Sequence, residues 1–426
     1  MRVLSETVTF SYRMSMELRE PITYIAKTNH RRNPRIFGIK QSDRFFHMYV
    51  IGRTGTGKTT LLESLALQDI RAGRGLAMLD PHGDLVARLA ASIPAHRAAD
   101  LVYFDAPNPS QPYGYNPLGG VCAEDAPLAA SGLLSAFEKI WTGREWGSRM
   151  GHVLRNALFA LIEYGDATLP DILRLLSDET YRKHVVGKIK NPQVRTFWLS
   201  EYAKYPPPYR QQAIAPIQSK VGAFLADPRL YRIFTMKESI DLRGIMDQGK
   251  ILLVNLAKGA LGEDSGTNVL GALLVSTLNL AAFSRIDVPE AERRDFIIYL
   301  DEFQNYLSLS MANMVSELRK FRIGIVAAHQ HLAQLEDDVR HAVLGNVGTM
   351  IAFRIGPEDA RTVAREFEPQ FEAPDLIDVP NYTIRIKLMI DGAPSRAFSA
   401  VTLTPQELEE KLRTPGAGWA IKHGNR

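Results

Sequence analysis

The sequence predicts an α/β protein with a mostly parallel central sheet and an inserted all-α domain. Three observations lead to this fold class. Short apolar runs of strand length alternate with helical stretches, which is typical of β-α-β units. Most of these runs are continuously apolar, as expected for strands that are buried on both faces. From about residue 125 to residue 235, amphipathic helical patterns replace the strand pattern.

Seven apolar runs are predicted to form the parallel strands. They are Phe46–Ile51, Leu76–Leu79, Leu101–Phe104, Ile251–Asn255, Phe296–Leu300, Ile323–Ala327 and Thr349–Phe353. Two later segments, Ile384–Ile390 and Arg396–Leu403, alternate more between apolar and polar residues. The turn sequence Asp391-Gly392-Ala393-Pro394 joins them, so we expect an antiparallel hairpin at the edge of the sheet.

The insertion is predicted to contain five helices, with prolines at its internal turns, such as the run 206–208. The helices are Ala126–Ile140, Met150–Tyr164, Leu169–Leu176, Pro192–Tyr205 and Arg210–Leu225. The predicted organisation is an N-terminal segment (1–45), a first core part (46–124), the insertion (125–235), a second core part (236–403) and a C-terminal tail (404–426). Within the first segment, Met1–Ile25 has room for one or two strands, and His30-Arg31-Arg32 is a basic turn.

Composition and charge exclude some classes of protein. The 426 residues are 45% hydrophobic and 23% charged, which is an ordinary globular composition. The single cysteine, Cys122, excludes an intramolecular disulfide and fits a reducing cytoplasm. We find no run of about 18 apolar residues and no export signal, so we expect a cytoplasmic chain without a membrane segment. The net charge of +4 permits a nucleic-acid partner without indicating one.

One segment matches a phosphate-binding motif in full. Gly52–Thr59 fits G-x-x-x-x-G-K-[ST], follows the predicted strand Phe46–Ile51 and precedes a predicted helix, Thr60–Arg71. Its glycines let backbone N–H groups face the phosphates at the positive end of the helix. Lys58 would contact the β- and γ-phosphates, and the Thr59 hydroxyl would ligate Mg²⁺. The predicted nucleotide-binding residues are Gly52, Thr54, Gly55, Thr56, Gly57, Lys58, Thr59 and Thr60.

Two carboxylates follow a predicted strand directly. The apolar run Phe296–Leu300 leads into Asp301 and Glu302. Ligands of open α/β sheets bind outside the carboxyl ends of the strands, so we expect this pair to face the nucleotide. Asp301 would hold Mg²⁺, and Glu302 would polarise the attacking water as general base. The sequence therefore predicts hydrolysis of ATP with Mg²⁺ as cofactor.

Polar residues at the ends of two further strands complete the predicted catalytic set. Gln330 is predicted to hydrogen-bond the γ-phosphate or the attacking water, and we expect its neighbours His329 and His331 to be ordinary loop histidines.

An arginine from outside the phosphate loop often acts on the γ-phosphate, sometimes from a neighbouring subunit. Arg354, at the end of the strand Thr349–Phe353, is the first candidate. The alternatives are Arg149, Arg155, Arg319 and Arg322, and each arginine also suits a surface or structural role.

An acidic turn, Asp80-Pro81-His82-Gly83-Asp84, follows the strand Leu76–Leu79. Asp84 is expected to cap the helix that follows. Asp80 and His82 are candidates to face the nucleotide site, and a purely structural turn is an equally good interpretation. The spacing does not supply enough ligands for a metal site of its own.

Several motifs occur together in a characteristic order. They are the phosphate loop, Asp80–Leu85, Asn116-Pro117-Leu118, Leu300–Phe303, Ala328–Leu335 and Phe353–Gly356. This order resembles the HerA/FtsK superfamily of hexameric DNA-pumping ATPases. Within that superfamily, residues from about Ile36 to Leu403 look most similar to the conjugative coupling-protein ATPases of type IV secretion, the TraD/TraG-like group.

The resemblance implies a RecA-like core, a ring of six subunits with ATP sites between them, and an all-α insertion that meets DNA or relaxosome partners. It implies that Lys58 and Thr59 bind nucleotide and metal, that Asp301 and Glu302 act on metal and water, and that Gln330 is a sensor. Arg354 as an arginine acting in trans is a further carry-over. Coupling proteins usually carry N-terminal membrane helices, which this sequence does not show. HerA-type pumps usually carry an N-terminal β-barrel, for which the 45 residues before the core are short. We therefore expect either a soluble motor or a chain that lacks an N-terminal part.

A ring pump would grip DNA phosphates with basic side chains and would not read the base sequence. The candidates are Arg182, Lys183, Lys188, Lys190 and Arg195 in the insertion, and Lys258, Arg319, Lys320 and Arg322 outside it; solvated helix faces are the alternative interpretation. The first functional hypothesis is a DNA translocase. The second is an ATPase that acts on or recruits proteins, such as a relaxosome, nuclease or secretion-channel component. The third is a nucleotide-gated scaffold, which the presence of Glu302 disfavours because a scaffold needs no general base.

Overall fold

The computed structural model describes residues 20–29, 34–122, 124–141, 146–261 and 266–413. The basic turn at 30–32, most of the N-terminal segment and the end of the C-terminal tail lie outside these residues. The strands, in chain order, are β1 Ile22–Thr28, β2 Ile36–Lys40, β3 Met48–Ile51, β4 Gly75–Asp80, β5 Leu101–Asp105, β6 Ile251–Asn255, β7 Phe296–Asp301, β8 Ile323–His329, β9 Thr349–Ala352, β10 Thr383–Lys387, β11 Met389–Ile390, β12 Ala393–Pro394 and β13 Phe398–Thr402. The seven predicted parallel strands are β3 to β9, with ends that differ from the predicted ends by at most two residues.

The described α-helices are α1 Gln41–Arg44, α2 Lys58–Arg71, α3 Asp84–Ala91, α4 Ala126–Ile140, α5 Ser148–Tyr164, α6 Asp171–Ser177, α7 Glu179–Lys188, α8 Pro192–Thr196, α9 Pro207–Leu225, α10 Pro228–Thr235, α11 Leu242–Gln248, α12 Lys258–Leu261, α13 Asn268–Phe283, α14 Leu309–Leu318, α15 Asp337–Asn346, α16 Pro357–Phe367, α17 Ala373–Ile377 and α18 Pro405–Arg413. The last of these lies in the predicted C-terminal tail, so the described part of that tail is helical. An ion pair between Lys27 of β1 and Glu407 in the first turn of α18 links the tail to the sheet.

The described residues form two compact units. The first, here called the phosphate-loop unit, comprises residues 1–68 and 347–426, and the second, the carboxylate unit, comprises residues 69–346. In the phosphate-loop unit the strand order is β2-β1-β13-β10-β9-β3, and the β3–β9 pair is parallel while the other pairs are antiparallel. The parallel pair places the end of β9 beside the end of β3, where the phosphate loop begins.

The predicted C-terminal hairpin is antiparallel, but it is not at an edge. β10 pairs with β13 as expected, and the residues Asp391 and Gly392 make the tight turn of the small β11–β12 hairpin, with φ of 50° and 77°. However, β10 also pairs with β9, and β13 also pairs with β1. The prediction of an edge position was wrong because β1, which is far away in the sequence, supplies the covering strand.

The sheet of the carboxylate unit has the order β8-β7-β4-β6-β5, and all its pairs are parallel. Every residue of β4, β7 and β8 is buried, as their continuous apolar sequences predict. In this parallel arrangement Asp80, Asn255 and Asp301 end neighbouring strands on the same side of the sheet. The site residues of this unit are therefore gathered by strand topology.

The insertion contains helices α4 to α10 and no strand in its described residues, as predicted. Two of these helices, α7 and α10, were not expected. The apolar residues of α7 are few, namely Tyr181, Val185 and Val186, so its pattern is weak; the Asp178 side chain caps it by accepting from the Tyr181 N–H. The proline run at 206–208 starts α9 because proline suits the first turn of a helix.

One described helix is long and apolar enough, by length and composition alone, to cross a bilayer. It spans Asn268–Asp287; its apolar 18-residue window has a mean hydropathy of 1.6, and 72% of that window is buried inside the structure. Its apolar side chains face the core of the carboxylate unit, where α13 packs along α4. Burial within the fold accounts for this composition as it does in any core helix.

Candidate functional site

The phosphate loop, Gly52–Thr59, joins β3 to α2 in the phosphate-loop unit. Gly55 and Gly57 have φ of 76° and 121°, in the region that glycine enters without strain. A Cβ at Gly57 would lie 2.9 Å from Cδ1 of Tyr382 and 3.0 Å from Cε1 of Phe353, so no side chain fits there. The glycines therefore permit both the turn and its close packing.

The side chains of the loop divide into buried and exposed groups. The buried residues are Gly52, Thr56, Gly57 and Lys58; Thr60 is half-buried, and the exposed ones are Thr54, Gly55 and Thr59. The Lys58 ammonium donates hydrogen bonds to the carbonyls of Gly52 at 2.5 Å and Arg53 at 3.2 Å. The Thr56 hydroxyl donates to the same Arg53 carbonyl at 2.7 Å. The lysine is thus held over the loop, and the Thr59 hydroxyl is exposed at the N-terminal end of α2.

Arg354 follows β9 in the same unit. Its guanidinium donates to the Asn381 side-chain oxygen at 3.0 Å and to the Val379 carbonyl at 3.5 Å. Its own carbonyl accepts from the Arg53 N–H at 2.9 Å. Arg354 therefore ties the segment 379–382 to the phosphate loop, and its action on a neighbouring subunit's nucleotide stays a prediction.

The alternative arginines have varied surroundings. The guanidinium of Arg149 lies 4.1 Å from the ring centre of Tyr209, and that of Arg322 pairs with Asp295 at 2.5 Å. Arg155 and Arg319 are exposed. The role of each of these arginines as an alternative to Arg354 stays a prediction.

The two predicted catalytic carboxylates are buried in the carboxylate unit. Asp301 is the last residue of β7, and Glu302 follows it with φ of 54°. A left-handed conformation in a residue other than glycine is uncommon and is found disproportionately at functional sites. The Asp301 carboxylate accepts from the Glu302 N–H at 3.1 Å. The backbone thus turns sharply at Glu302, directly after the strand.

Two glutamine amides hold the Glu302 carboxylate. Nε2 of Gln304 donates to Oε2 of Glu302 at 2.8 Å, and Nε2 of Gln330 donates to Oε1. Nε2 of His82 lies 3.9 Å from Oε1. The structure therefore brings the predicted Glu302 and Gln330 together and adds Gln304, which the sequence analysis missed. A second amide two residues after the glutamate was the available signal.

The acidic turn Asp80–Asp84 has structural contacts, and the prediction for one of its residues, Asp84, was wrong. The buried Asp80 carboxylate accepts from the N–H groups of His82, Leu85 and Val86, at 2.8, 2.8 and 3.2 Å, and so stabilises the start of α3. Asp84 is the first residue of that helix and not its cap.

His329 was expected in a loop. It is instead the buried last residue of β8, and its ring packs edge-on against Phe303 with 4.9 Å between ring centres. His331, by contrast, is exposed. The prediction failed for His329 because the strand extends two residues beyond its predicted end at Ala327.

Tyr306 lies beside the carboxylates. Burial, reinforced by the negative charges of Asp80, Asp301 and Glu302, raises the pKa of Tyr306 well above its usual value. Its ring packs on α13 at Gly271, where a Cβ would lie 2.3 Å from Cε1 of the tyrosine. No described residue forms a hydrogen bond with its hydroxyl. A neutral phenol, whose hydroxyl has no hydrogen-bond partner among the described residues, therefore lies beside Asp301 and Glu302.

A large cleft in the carboxylate unit lies apart from these residues. It has a volume of about 930 Å³ and is lined by residues that include Tyr115, Asp166, Arg243 and Thr277. None of the predicted nucleotide-site residues lines it. Its size alone gives no reason to place the chemistry there, since it brings together neither a phosphate-binding loop nor a candidate base.

The fold and the phosphate loop together define an α/β core of the RecA-like P-loop class. Solved structures with this fold include the bacterial conjugative coupling protein TrwBdeltaN70, with a TM-score of 0.63, 16% identity, and coverage of 92% of this chain and 91% of that one. For TrwB in complex with ADP and Mg²⁺, the TM-score is 0.63 and the identity is 16%, with coverage of 90% of this chain and 96% of that one. For VirB4 of Thermoanaerobacter pseudethanolicus, the TM-score is 0.64 and the identity is 13%, with coverage of 92% of this chain and 99% of that one.

These likenesses extend over nearly the whole chain. At 13–16% identity they establish the fold, and they confirm the predicted RecA-like core with its all-α insertion and the predicted structural resemblance to coupling proteins. No protein-family model matches the chain, and no curated protein sequence matches it. The assignment of function must therefore come from the site itself.

Proposed function

We propose that this chain is an ATPase that binds ATP together with Mg²⁺ and uses hydrolysis to move DNA. The observation that carries the first part is the phosphate loop, in which two left-handed glycines, a buried lysine and a helix N-terminus occur within eight residues. This combination suits a nucleoside triphosphate better than any smaller anion, because the lysine reaches phosphates beyond those that the backbone holds.

The residues suit a magnesium ion that is shared with the nucleotide. No cluster of three or more His, Cys, Asp or Glu side chains in the described residues could hold a metal alone. Mg²⁺ needs no such cluster, since it retains waters and binds through one or two protein ligands together with phosphate oxygens. Thr59 and Asp301 would hold it, and when bound it neutralises charge on the phosphates.

The remaining roles fall to the carboxylate cluster, defined here as Asp301, Glu302, Gln304 and Gln330. Glu302 accepts the proton of the attacking water as general base. Its two amide donors fix the carboxylate in one orientation, which is the usual way in which a catalytic base is positioned. Gln330 has the additional task of contacting the γ-phosphate or the water.

The likeness to TrwB, whose structures are described as those of a conjugative coupling protein, supports the DNA-moving part of the proposal. By this analogy the chain acts as a cytoplasmic ring of six subunits, in which Arg354 acts on the nucleotide of the next subunit. It would be joined to a membrane channel through partners. Mass determination of the ATP-bound protein at micromolar concentration tests the ring, and a monomer under all conditions would contradict it.

The decisive experiment measures ATP hydrolysis by the purified chain with and without single- and double-stranded DNA, beside a Glu302→Gln control. We expect DNA to stimulate hydrolysis several-fold in the wild type only. The preferred form of DNA would then identify the track. If the wild type hydrolysed ATP at the same rate with and without DNA, and Glu302→Gln did not hydrolyse it, the chain would be an ATPase but not a DNA motor.

A second candidate is an ATPase that acts on protein partners. It is favoured by the contacts of the insertion's basic residues, many of which are engaged within the insertion. Arg182 donates to the carbonyls of Leu175 and Leu176, and Lys183 pairs with Glu179 at 2.7 Å. Stimulation of hydrolysis by a secretion-channel or relaxosome protein, with none by DNA, would support this candidate.

A further inference from the structure

Tyr382 combines three properties that packing alone does not explain. It has φ of 63°, although bulky side chains are genuine outliers in this region. The residue is nevertheless 49% exposed, so the free energy gained by burying the ring does not explain an aromatic residue in this conformation. It also lies against the phosphate loop, with Cδ1 only 2.9 Å from the position of a Gly57 Cβ.

The backbone of Tyr382 is fixed to the loop and to the neighbouring strand. Its N–H donates to the carbonyl of Thr56 at 2.8 Å, and its carbonyl accepts from the N–H of Thr402 at 2.9 Å. Arg354 holds the preceding residue, Asn381, through the hydrogen bond described above. Surrounding contacts thus impose the strained conformation, which is the situation in which strain persists at ligand sites.

A phosphate loop holds only the triphosphate, and the base of the nucleotide lies one ribose away from it. A half-exposed aromatic ring at the helix end of the loop is a surface on which a base can stack, and stacking accepts any base because every base has a π-face. We propose that Tyr382 forms one face of the base site and that its ring stacks on the purine of the bound nucleoside triphosphate. The proposal rests on the proposed nucleotide binding and adds a residue that recognises the base.

The test compares the affinity of the chain for MgATP and for inorganic tripolyphosphate, which has no base, by titration calorimetry. Tyr382→Asn removes the ring but keeps a residue that tolerates positive φ, and Tyr382→Phe keeps the ring. Tyr231, which is 49% exposed on α10, supplies the matched control Tyr231→Asn. Melting temperatures check that each variant is folded.

We expect Tyr382→Asn to weaken MgATP binding by about tenfold and tripolyphosphate binding by less than twofold, while Tyr382→Phe and Tyr231→Asn change neither. Equal weakening of both ligands by Tyr382→Asn would overturn the inference, because the tyrosine would then support only the shape of the loop. Unchanged affinity for both ligands would overturn it as well. Failure of the wild type to bind either ligand is a distinct result, which would reject the proposed nucleotide binding itself.

Discussion

The phosphate loop and the carboxylate cluster are assembled in different ways. The loop consists of consecutive residues, and its function depends on backbone N–H groups, two glycines and one lysine. The cluster brings together Glu302 and Gln330, which are 28 positions apart, at the ends of the parallel strands β7 and β8. The difference suggests that the loop governs binding, whereas the cluster governs chemistry on what is bound.

The largest effect is expected from removing the general base. Glu302→Gln keeps the volume and one oxygen that can accept from an amide donor, but it removes proton acceptance, so hydrolysis should fall by about 10³-fold. ATP affinity should change less than threefold, since the loop is untouched. Steady-state hydrolysis and calorimetry measure the two quantities, and a parallel loss of affinity would break the distinction between the two regions.

Removal of the loop lysine should impair the binding of ATP, which removal of the general base does not. Lys58→Ala takes away the positive charge aimed at the phosphates, and we expect ATP affinity to fall by about 100-fold, with hydrolysis lost alongside it. Lys237→Ala, at an exposed position, is the control. If Lys58→Ala bound ATP normally and failed only in turnover, the lysine would belong functionally with the carboxylate cluster.

A smaller effect is expected at Gln304. Gln304→Leu removes the 2.8 Å hydrogen bond to the base and should reduce kcat by about tenfold without changing KM, because a hydrogen bond to a charged group is lost. Gln304→Glu is a useful second variant. It puts a like charge beside Glu302, so its kcat should be lower than that of Gln304→Leu. A faster Gln304→Leu enzyme would mean that the amide restrains the base.

The smallest effect on catalysis is expected from Gly271→Ala, which tests the packing behind the cluster. The added methyl would meet the ring of Tyr306, and overpacking of this kind costs about 1–3 kcal/mol. We expect a melting temperature lower by a few degrees and a modest loss of hydrolysis. Gly222→Ala, in the insertion helix α9, is the control, because nothing lies near its Cβ position. Equal melting temperatures for the two variants would contradict the packing argument.

The sequence by itself determined the features that depend on neighbouring residues. The phosphate loop, the strand-ending carboxylates and the helical insertion were all predictable, because glycine conformation, strand burial and helical periodicity are local properties. Even there, the weakly amphipathic α7 was missed, because three apolar residues give too faint a periodic pattern.

Tertiary structure alone decided which distant residues meet. β1 covers the predicted edge hairpin, Gln304 joins Gln330 on Glu302, and Tyr382 comes to lie on Gly57. No periodicity records these contacts, since they follow from strand order and from hydrogen bonds between segments that are far apart in the chain. The left-handed conformations of Glu302 and Tyr382 belong to the same class, because they exist only where surrounding contacts outweigh the preference of a single residue.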